Sequence, residues 1–231
     1  MLRHLNIHQP LLSLHEHNEQ ERAQQLADKL EKGETWALVS DAGTPGICDP
    51  GARLVRTLQQ KNIRCVPIPG PCALVTAMSV AGISSSHFHF EGFLPAKGAE
   101  RKQRLQYLHQ LQEPFVLYEA PHRLQKTLQD LYACVGDASL VIARELTKVY
   151  EQICTTTIQQ AIEQFTAPKG EFVLIVEPCK EPINVDQEEV IAYLKTLLDQ
   201  GISRKQAAAQ TAQHFGLRKN EAYSLSLKES E

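Results

Sequence analysis

The sequence predicts an α/β fold made of two α/β domains followed by a C-terminal helical tail. Three observations lead to this prediction. Short apolar runs alternate with amphipathic runs from residue 18 to residue 177, the segment 82–86 (Gly-Ile-Ser-Ser-Ser) interrupts the alternation, and the patterns after Pro182 are all helical. We therefore expect an N-terminal α/β domain at residues 1–83, a second α/β domain at 84–180 and the helical tail at 185–231.

The N-terminal domain shows the alternation of strands and helices that is typical of a parallel α/β sheet. Asn18 and Glu21 have the spacing of a helix capping box, and Gly33 is typical of a helix end, so together they predict a helix over 18–32. The same reasoning predicts the next elements in order: a strand at 35–40, a helix at 51–61, a strand at 63–67 and a helix from about 71 to 81.

The second domain repeats the alternation. Strands are predicted at 87–93, 115–119, 139–145, near 149–156 and at 171–177, with helices at 99–112, 121–135 and 157–165 between them. The tail should contain helices at 186–199, 203–215 and 218–228. A short glycine turn, Phe215-Gly216-Leu217, joins the last two and resembles a helix-turn-helix, although a generic three-helix packing unit explains it equally well.

Composition excludes several classes of protein. The chain has 231 residues and a formal net charge of −3, which argues against a protein that coats nucleic acid through a high positive charge. It has no run of 18 apolar residues, which argues against a membrane span. The N-terminus lacks the apolar core of a signal peptide, and the scattered cysteines fit a reducing compartment, so we expect a cytoplasmic protein without a metal site. Residues 96–126 hold six Lys or Arg against three Glu, which suits an RNA contact or simply a solvated helix face.

Two loops rich in Gly and Pro follow predicted strands. The first runs from Ser40 to Gly51 (S-D-A-G-T-P-G-I-C-D-P-G) and the second from Pro67 to Ala73 (P-I-P-G-P-C-A). Loops at the strand ends of open α/β sheets bind ligands, and two of them beside one sheet suggest a shared cleft. An acid in place of a phosphate-binding glycine motif suits a ligand with hydroxyls or positive charge. Two tight turns between strand and helix would explain a single loop equally well.

Further segments complete a specific set of motifs. They are L-H-E-H-N-E at 14–19, F-x-x-E-G-F-L-P-A-K ending at Lys97, Y-E-A-P-H-R at 118–123, A-R-E-L-T-K at 143–148 and K-G-E-F-V-L-I-V-E at 169–177. With the two loops, they resemble the tetrapyrrole-methylase superfamily and, within it, the RsmI family of bacterial small-subunit rRNA cytidine 2′-O-methyltransferases. The tail resembles that family's helix-turn-helix-like C-terminus.

One feature of that family does not appear in this sequence. Family members begin with a strand, a V-x-T-P-I-G-N-L-type loop, a helix, a second strand and an E-D-T-R segment, whereas this sequence begins in what looks like the following helix. We therefore expect that one βαβ unit of ~30 residues or more is missing, either because the recorded start is too late or because the chain is a truncated relative.

The resemblance implies S-adenosylmethionine (SAM) as methyl donor, held in a cofactor cleft between the two α/β domains. It also implies small-subunit rRNA or the 30S ribosomal subunit as partner, and a homodimer. The implied cofactor-binding residues come from the first loop, the second loop and the second domain: Asp41, Ala42, Gly43, Thr44 and Pro45; Gly70, Pro71, Cys72 and Ala73; Tyr118 and Leu146.

Methyl transfer to a ribose hydroxyl is an in-line displacement that chiefly demands alignment, and a nearby base would help. The candidates at strand ends are Glu119, His122, Glu145 and Lys148, each of which could be the base, an orienting group or part of a structural ion pair. Arg123, Arg144 and Lys148 could hold rRNA phosphates. Two other functions stay open: methylation of a tetrapyrrole carbon, and a non-catalytic RNA-binding remnant.

Overall fold

The computed structural model of the chain describes residues 2–178, 187–215 and 222–225. They belong to two compact units, Met1–Pro178 and Cys179–Glu231. The predicted boundary between residues 83 and 84 falls inside the first unit and stays a prediction. Across the described ranges, we find no helix with both the length and the apolar character needed to span a membrane.

Three helices organise the N-terminal part of the first unit: α1 (Glu19–Glu31), α2 (Ala52–Gln60) and α3 (Ala73–Val80). Helices α1 and α2 pack together through a small apolar cluster of buried side chains: Ala23, Leu26, Ala27, Leu54 and Leu58. Gly33 ends α1 with a φ of +90°, as predicted, because glycine adopts this left-handed conformation without steric cost.

The two strands predicted at 35–40 and 63–67 do not form, and neither does the parallel sheet expected in this part of the chain. Residues 34–40 and 63–72 belong to neither helix nor strand. The apolar pattern is present, but a strand also requires a neighbour with which to exchange backbone hydrogen bonds. No described residue pairs with either segment in a ladder.

The capping box predicted at Asn18 is also wrong. Asn18 precedes α1, but its backbone is α-like (φ −114°, ψ −2°), and its side chain does not cap the helix. Its Oδ1 instead accepts a hydrogen bond from the His15 N–H at 2.8 Å, and its Nδ2 donates to the Ser13 carbonyl at 3.1 Å. The side chain therefore stabilises the turn before the helix.

All five strands predicted after residue 84 form one sheet, which has the order β1-β2-β5-β3-β4. The strands are β1 (His89–Phe93), β2 (Phe115–Glu119), β3 (Ser139–Arg144), β4 (Gln152–Thr157) and β5 (Phe172–Glu177). Strands β1 and β2 run parallel, while the other neighbours are antiparallel, so the sheet is mixed. Three helices lie between the strands along the chain: α4 (Gly98–Gln110), α5 (Pro121–Val135) and α6 (Ile158–Gln164).

Helices cover both faces of this sheet. Because side chains alternate along a strand, Phe115 and Leu117 pack with α4, α5 and α6 on one face, whereas Val116 points to the other. On that second face, Ala77 of α3 lies against the apolar side chains of the sheet. The strands are consequently buried on both sides, and α3 brings the N-terminal part of the chain onto the sheet.

The second unit contains α7 (Gln187–Asp199) and α8 (Arg204–Phe215), as the sequence predicts. Tyr193 stacks on His214 with ring centroids 4.5 Å apart, and Ala222, in a helical turn at residues 222–225, packs with Ala208 and Ala212 of α8. The segment between the second predicted domain and the tail, the centre of the Phe215-Gly216-Leu217 turn and most of the predicted helix 218–228 lie outside the described residues.

Candidate functional site

A cavity of about 610 Å³ opens in the first unit where the two Gly/Pro loops meet the ends of the sheet strands. This volume is in the range of small-molecule sites. Its walls come from the first loop, the second loop with the start of α3, the ends of β1 and β2, the start of α5, and the facing ends of β3 and β5. The lining residues are Ala42, Gly43, Thr44, Ile47, Cys48, Asp49, Pro71, Cys72, Ala73, Thr76, Phe93, Tyr118, Glu119, Ala120, Pro121, Ala143, Leu146, Thr147, Lys148, Glu171, Phe172 and Val173.

The two loops are joined to each other at the cavity wall. The Thr44 hydroxyl donates to the Pro71 carbonyl at 3.0 Å. Gly43 has a φ of +74° and lies close to the second loop: a Cβ added to it would be 3.6 Å from the same Pro71 carbonyl oxygen. The Ser40 hydroxyl donates to the Gly43 carbonyl at 3.0 Å and so folds the first loop on itself. One threonine and one close backbone approach thus hold two loops together as a single wall.

Tyr118 connects the second loop to the sheet. From β2, its hydroxyl oxygen accepts a hydrogen bond from the Leu74 N–H at 2.8 Å, which satisfies a donor in the first turn of α3. The rings of Phe90 and Phe93 lie edge-on to it, with centroid distances of 5.1 and 5.7 Å. Burial raises the pKa of Tyr118 to about 12, so the hydroxyl stays protonated at neutral pH.

Glu119, the next residue, is buried and fully hydrogen-bonded. Its carboxylate accepts from the Ala120 N–H at 2.9 Å and from the Thr127 hydroxyl at 2.5 Å, and the Arg123 Nε lies 3.2 Å away. Arg101 extends the network from α4, because it donates to the same Thr127 hydroxyl at 3.0 Å. These surroundings are those of a structural ion pair that fixes the end of β2 against α4 and α5.

A second ionic cluster lies where the end of β3 and the start of β5 meet the cavity. Lys148 Nζ is 2.8 Å from Glu145 Oε1 and 2.8 Å from Glu171 Oε2. Hydrogen bonds to Glu145 and then Glu171 raise the pKa of Lys148, while the Lys148 ammonium and then the Glu171 N–H lower the pKa of Glu145. Lys148 therefore carries its positive charge at the cavity wall, and Glu145 is ionised.

The backbone around this cluster is closely packed. Glu145 and Thr147 both have left-handed backbone conformations, with φ of +50° and +66°. The Glu145 side chain lies against Gly170, where an added Cβ would be 2.6 Å from the Glu145 carboxyl carbon. A side chain at position 170 would therefore have to displace the Glu145 carboxyl group, and the φ of +90° at this glycine adds backbone strain for other residues.

The cavity brings together ten of the fifteen residues that the sequence singled out: Ala42, Gly43, Thr44, Pro71, Cys72, Ala73, Tyr118, Glu119, Leu146 and Lys148. The other five lie outside its lining: Asp41, Pro45, Gly70, His122 and Glu145. Asp41 is exposed in the first loop, His122 is exposed in α5, and Glu145 reaches the cavity only through its ion pair with Lys148. The roles of all fifteen residues stay predictions.

Sequence reasoning missed several lining residues, of which Asp49 is the most informative. It follows Cys48 near the end of the first loop, whereas the cofactor-binding residues implied by the resemblance include Asp41 and not Asp49. Burial, followed by the charge of Asp49, raises the pKa of the Cys48 thiol, so this cysteine is neutral at pH 7. Phe93 was also missed, although it lies within a quoted motif, ends β1 and has half of its side chain exposed.

The chemistry of the wall suits a zwitterionic ligand with an apolar portion. Helices α3 and α5 both begin at the cavity, at Ala73 and Pro121, and a helix N-terminus attracts a carboxylate. Asp49 offers a carboxylate to a cationic group, and Ile47, Leu146 and Val173 are among the apolar residues of the wall. Within residues 2–178, 187–215 and 222–225, no three His, Cys, Asp or Glu side chains converge as metal ligands.

Comparison with known proteins identifies relatives over nearly the whole chain. The family model "Tetrapyrrole (Corrin/Porphyrin) Methylases" matches residues 3–162, and that of the "RsmI C-terminal HTH domain" matches residues 184–230. The ribosomal RNA small subunit methyltransferase I of Synechocystis sp. is 44% identical over 99% of this chain and 84% of its own length. The protein of the same name from Escherichia coli O157:H7 is 42% identical over 99% of this chain and 82% of its own.

Solved structures show the same fold at low identity. The methyltransferase CobJ aligns with a TM-score of 0.55 and 20% identity, over 70% of this chain and 72% of that one. Diphthine synthase aligns with a TM-score of 0.61 and 12% identity, over 76% of this chain and 71% of that one.

Proposed function

The chain belongs to the tetrapyrrole methylase family, and we propose that it is a SAM-dependent methyltransferase that acts on small-subunit ribosomal RNA. The observation that carries this proposal is the similarity, over almost its whole length, to proteins named ribosomal RNA small subunit methyltransferase I. Methylation of a tetrapyrrole is less well supported, because the methyltransferase CobJ shares only the fold, at 20% identity.

SAM fits the cavity described above. Its carboxylate would lie near the first turn of α3 at Ala73, and its ammonium group would pair with Asp49. The first loop and the second loop would hold the nucleoside portion through backbone groups, which explains why glycine and proline fill these loops. When bound, SAM supplies a methyl group on a sulfonium, whose sulfur leaves as a neutral thioether.

The remaining requirement is alignment of the acceptor hydroxyl with that methyl group. Following the resemblance to the RsmI family, we take the acceptor to be the ribose 2′-hydroxyl of a cytidine. Glu119 is fully hydrogen-bonded and Lys148 is held between two carboxylates, so we assign both groups to positioning the walls of the site rather than to removing the proton. The carbon–oxygen bond would form as the carbon–sulfur bond breaks, the thioether would leave as a neutral group that needs no acid, and the hydroxyl proton would pass to water.

The rRNA would approach over α4 and α5. Lys97, Lys102 and Lys126 are exposed on or beside these two helices and suit contacts with phosphate groups. Arg123 is less suited, because it is engaged with the Leu94 carbonyl and Glu119. We further propose that the natural substrate is the assembled 30S subunit in the cytoplasm, and that the protein acts as a homodimer.

Methylation of purified small subunits tests the function. The chain is incubated with SAM carrying a labelled methyl group and with 30S subunits that lack the modification, and the rRNA is digested to nucleosides for mass spectrometry. We expect label on the ribose of a cytidine. Label on a base carbon, or on a tetrapyrrole with none on RNA, would contradict the proposal, and binding of subunits without any methyl transfer would favour the RNA-binding remnant.

Two alanine substitutions test the cofactor site. Asp49→Ala removes a charge from the cavity wall and should weaken SAM binding by about 1.5–3 kcal/mol, roughly ten- to a hundredfold. Asp41→Ala removes the acid that the sequence favoured but that lies outside the lining, and should have the smaller effect. Titration calorimetry on both variants measures the two affinities. A larger loss of SAM affinity with Asp41→Ala than with Asp49→Ala would show that Asp41 is the acid that binds the ammonium group.

A further inference from the structure

Glu19, the last residue of the motif at 14–19, is a buried carboxylate to which neither the sequence analysis nor the proposed mechanism assigns a role. It is the first residue of α1 and only 5% exposed. Its Oε1 accepts hydrogen bonds from three backbone N–H groups: those of Gly51 at 2.9 Å, Arg53 at 2.8 Å and Leu54 at 3.5 Å. These donors belong to the N-cap and first turn of α2, so a side chain from one helix caps another helix 32 residues later.

Helix α2 cannot obtain this cap locally. Its N-cap residue is Gly51, which has no side chain to offer, and the first turn of α2 contains no acidic residue. The first N–H groups of a helix have no partner within that helix, and the helix dipole favours a negative charge at this end. Glu19 meets both needs at once, which accounts for a buried carboxylate at this position.

The capped end of α2 is also the end of the first loop. Six residues of this loop, at 42–44 and 47–49, line the cavity, and Gly51 follows two residues after the last of them. Gly51 has a φ of +140°, and an added Cβ would lie 2.9 Å from the Leu38 side chain, so the chain is tightly confined at this point. At its other side the loop is attached through Thr44 to Pro71. Glu19 thus fixes one end of a cavity wall that lacks strand pairing.

We propose that Glu19 is a positioning residue for the methyl-donor site: its carboxylate holds the first loop, through the N-terminus of α2, in the conformation that binds the cofactor. This inference rests on the proposed function, because it takes the cavity to be the SAM site. Glu19 itself does not line the cavity, so its effect on the ligand is transmitted by the loop.

The chain offers a matched control in Glu21, two residues later in α1. Glu21 is exposed, and its carboxylate accepts only a hydrogen bond from Gln25 among the contacts that the structure describes. Glu19→Gln keeps one acceptor oxygen and removes the charge, whereas Glu19→Ala removes the cap altogether. Glu21→Gln makes the same chemical change as Glu19→Gln, but at a side chain that caps no other helix. All three are compared with the unmodified chain in SAM titrations, in steady-state methylation of 30S subunits, and in amide hydrogen exchange without ligand.

We expect Glu19→Ala to weaken SAM binding at least tenfold and to raise the KM for SAM by a similar factor, with kcat at saturating SAM within twofold of the unmodified chain. The SAM affinity of Glu19→Gln should fall between those of Glu19→Ala and the unmodified chain. The SAM affinity of Glu21→Gln should match that of the unmodified chain. Exchange at residues 51, 53 and 54 should accelerate in Glu19→Ala, whereas the amides of the sheet keep their protection. If Glu19→Ala does not fold, the same shifts in Glu19→Gln decide the question.

The outcomes separate this inference from the proposed function. An unmodified chain that binds no SAM would overturn the proposed function together with the inference that depends on it. SAM binding by the unmodified chain that stays within twofold in folded Glu19 variants would overturn the inference alone. A fall in kcat at unchanged SAM affinity would also overturn it, since a loop that merely presents the cofactor should change affinity first.

Discussion

Residues 2–83 and residues 84–178 carry similar apolar patterns and fold differently. In the second region, the runs at 115–119, 139–144 and 172–177 pair into a sheet, and side chains such as Leu140 and Leu174 are completely buried. In the first region, the runs at 35–40 and 63–67 have no ladder partner among the described residues, and Val39, Val66 and Ile68 are 52–79% exposed. An apolar run becomes a strand only where another strand lies beside it.

The cavity depends on both regions, which hold their walls by different means. The strand ends at Tyr118 and Val173 are fixed by continuous backbone ladders. The loops of the first region are fixed by a few individual bonds, namely those from Thr44 to Pro71, from Leu74 to Tyr118 and from α2 to Glu19. We therefore expect one wall of the site to be rigid and the other to respond to single substitutions.

Amide hydrogen exchange should show the largest difference between the regions. The amides of β2, β3 and β5 form ladder hydrogen bonds inside a doubly covered sheet, whereas those of 35–40 and 63–67 form none among the described residues. We expect the sheet amides to exchange at least about a thousandfold more slowly. If the amides of 35–40 and 63–67 were as well protected as those of the sheet, the contrast between the two regions would be wrong, because another strand would have to pair with these segments in solution.

Truncation of a buried leucine should lower the free energy of unfolding more in the second region than in the first, although this contrast is smaller than that in hydrogen exchange. Leu174→Ala removes a side chain packed between the central strand and its helices, so a cavity remains and the loss of unfolding free energy should approach the upper end of about 2–5 kcal/mol. Leu58→Ala, in the α1–α2 cluster, should lie at the lower end, since that cluster is small and can collapse. Urea unfolding measures both, and equal losses would argue that the first region is packed as firmly as the sheet.

Tyr118→Phe tests the bond that joins the two regions. It deprives the Leu74 N–H of its acceptor and should cost about 1 kcal/mol at neutral pH. Because the pKa of Tyr118 is raised from 10.0 to about 12, the unfolded chain loses this proton first, and the stability contributed by the hydroxyl is lost as pH rises from 10 towards 12. The stability gap between the two proteins should narrow over that range in denaturation at pH 8, 10 and 11.

The smallest expected effect is a difference in how much stability two ion pairs, those of Glu91 and Asp28, lose at acid pH. Burial alone would raise the pKa of Glu91, but hydrogen bonds from Arg104 and His89 outweigh it and lower the pKa below its ordinary 4.5. The stabilisation from this group is present above that value and is lost as pH falls through the lowered pKa. Glu91→Gln should therefore resemble the unmodified chain more closely at pH 3.5 than at pH 7.

Asp28 is the matching carboxylate of the first region. Its pKa is also lowered, by hydrogen bonds from Gln24 and then Lys61, but its side chain is 53% exposed. Solvent screens such a pair, so Asp28→Asn should change stability too little to measure at either pH. A clear loss with Asp28→Asn would show that the ion pairs between α1 and α2 contribute more to the first region than its exposure suggests.

The elements that the sequence predicted correctly are those specified by local patterns. The strands after residue 84 are apolar runs bounded by helices, and Gly33 ends its helix as expected. The two loops were found because Gly, Pro and Asp are concentrated in them, and ten residues chosen partly from the family resemblance line one cavity.

The elements that the sequence did not predict depend on contacts between distant residues. The spacing of Asn18 and Glu21 satisfied the capping pattern, but the Asn18 side chain turned to Ser13. Glu19, its neighbour, caps a helix 32 residues later, which no local pattern reveals. Likewise, whether Asp41 or Asp49 faces the cavity depends on how a loop of twelve residues folds against the second loop, and both acids have the same local chemistry.

The contact between Gly170 and Glu145 has a consequence for how this sequence can change over generations. A side chain at position 170 would overlap the Glu145 carboxyl group, and the φ of +90° at Gly170 disfavours every other residue in any case. Glu145 in turn holds Lys148 at the cavity wall. A descendant that replaced the glycine would have to move or shorten the residue at 145, and Lys148 would then lose one of its two carboxylate partners. We therefore expect these two positions, 25 residues apart, to be inherited together or lost together.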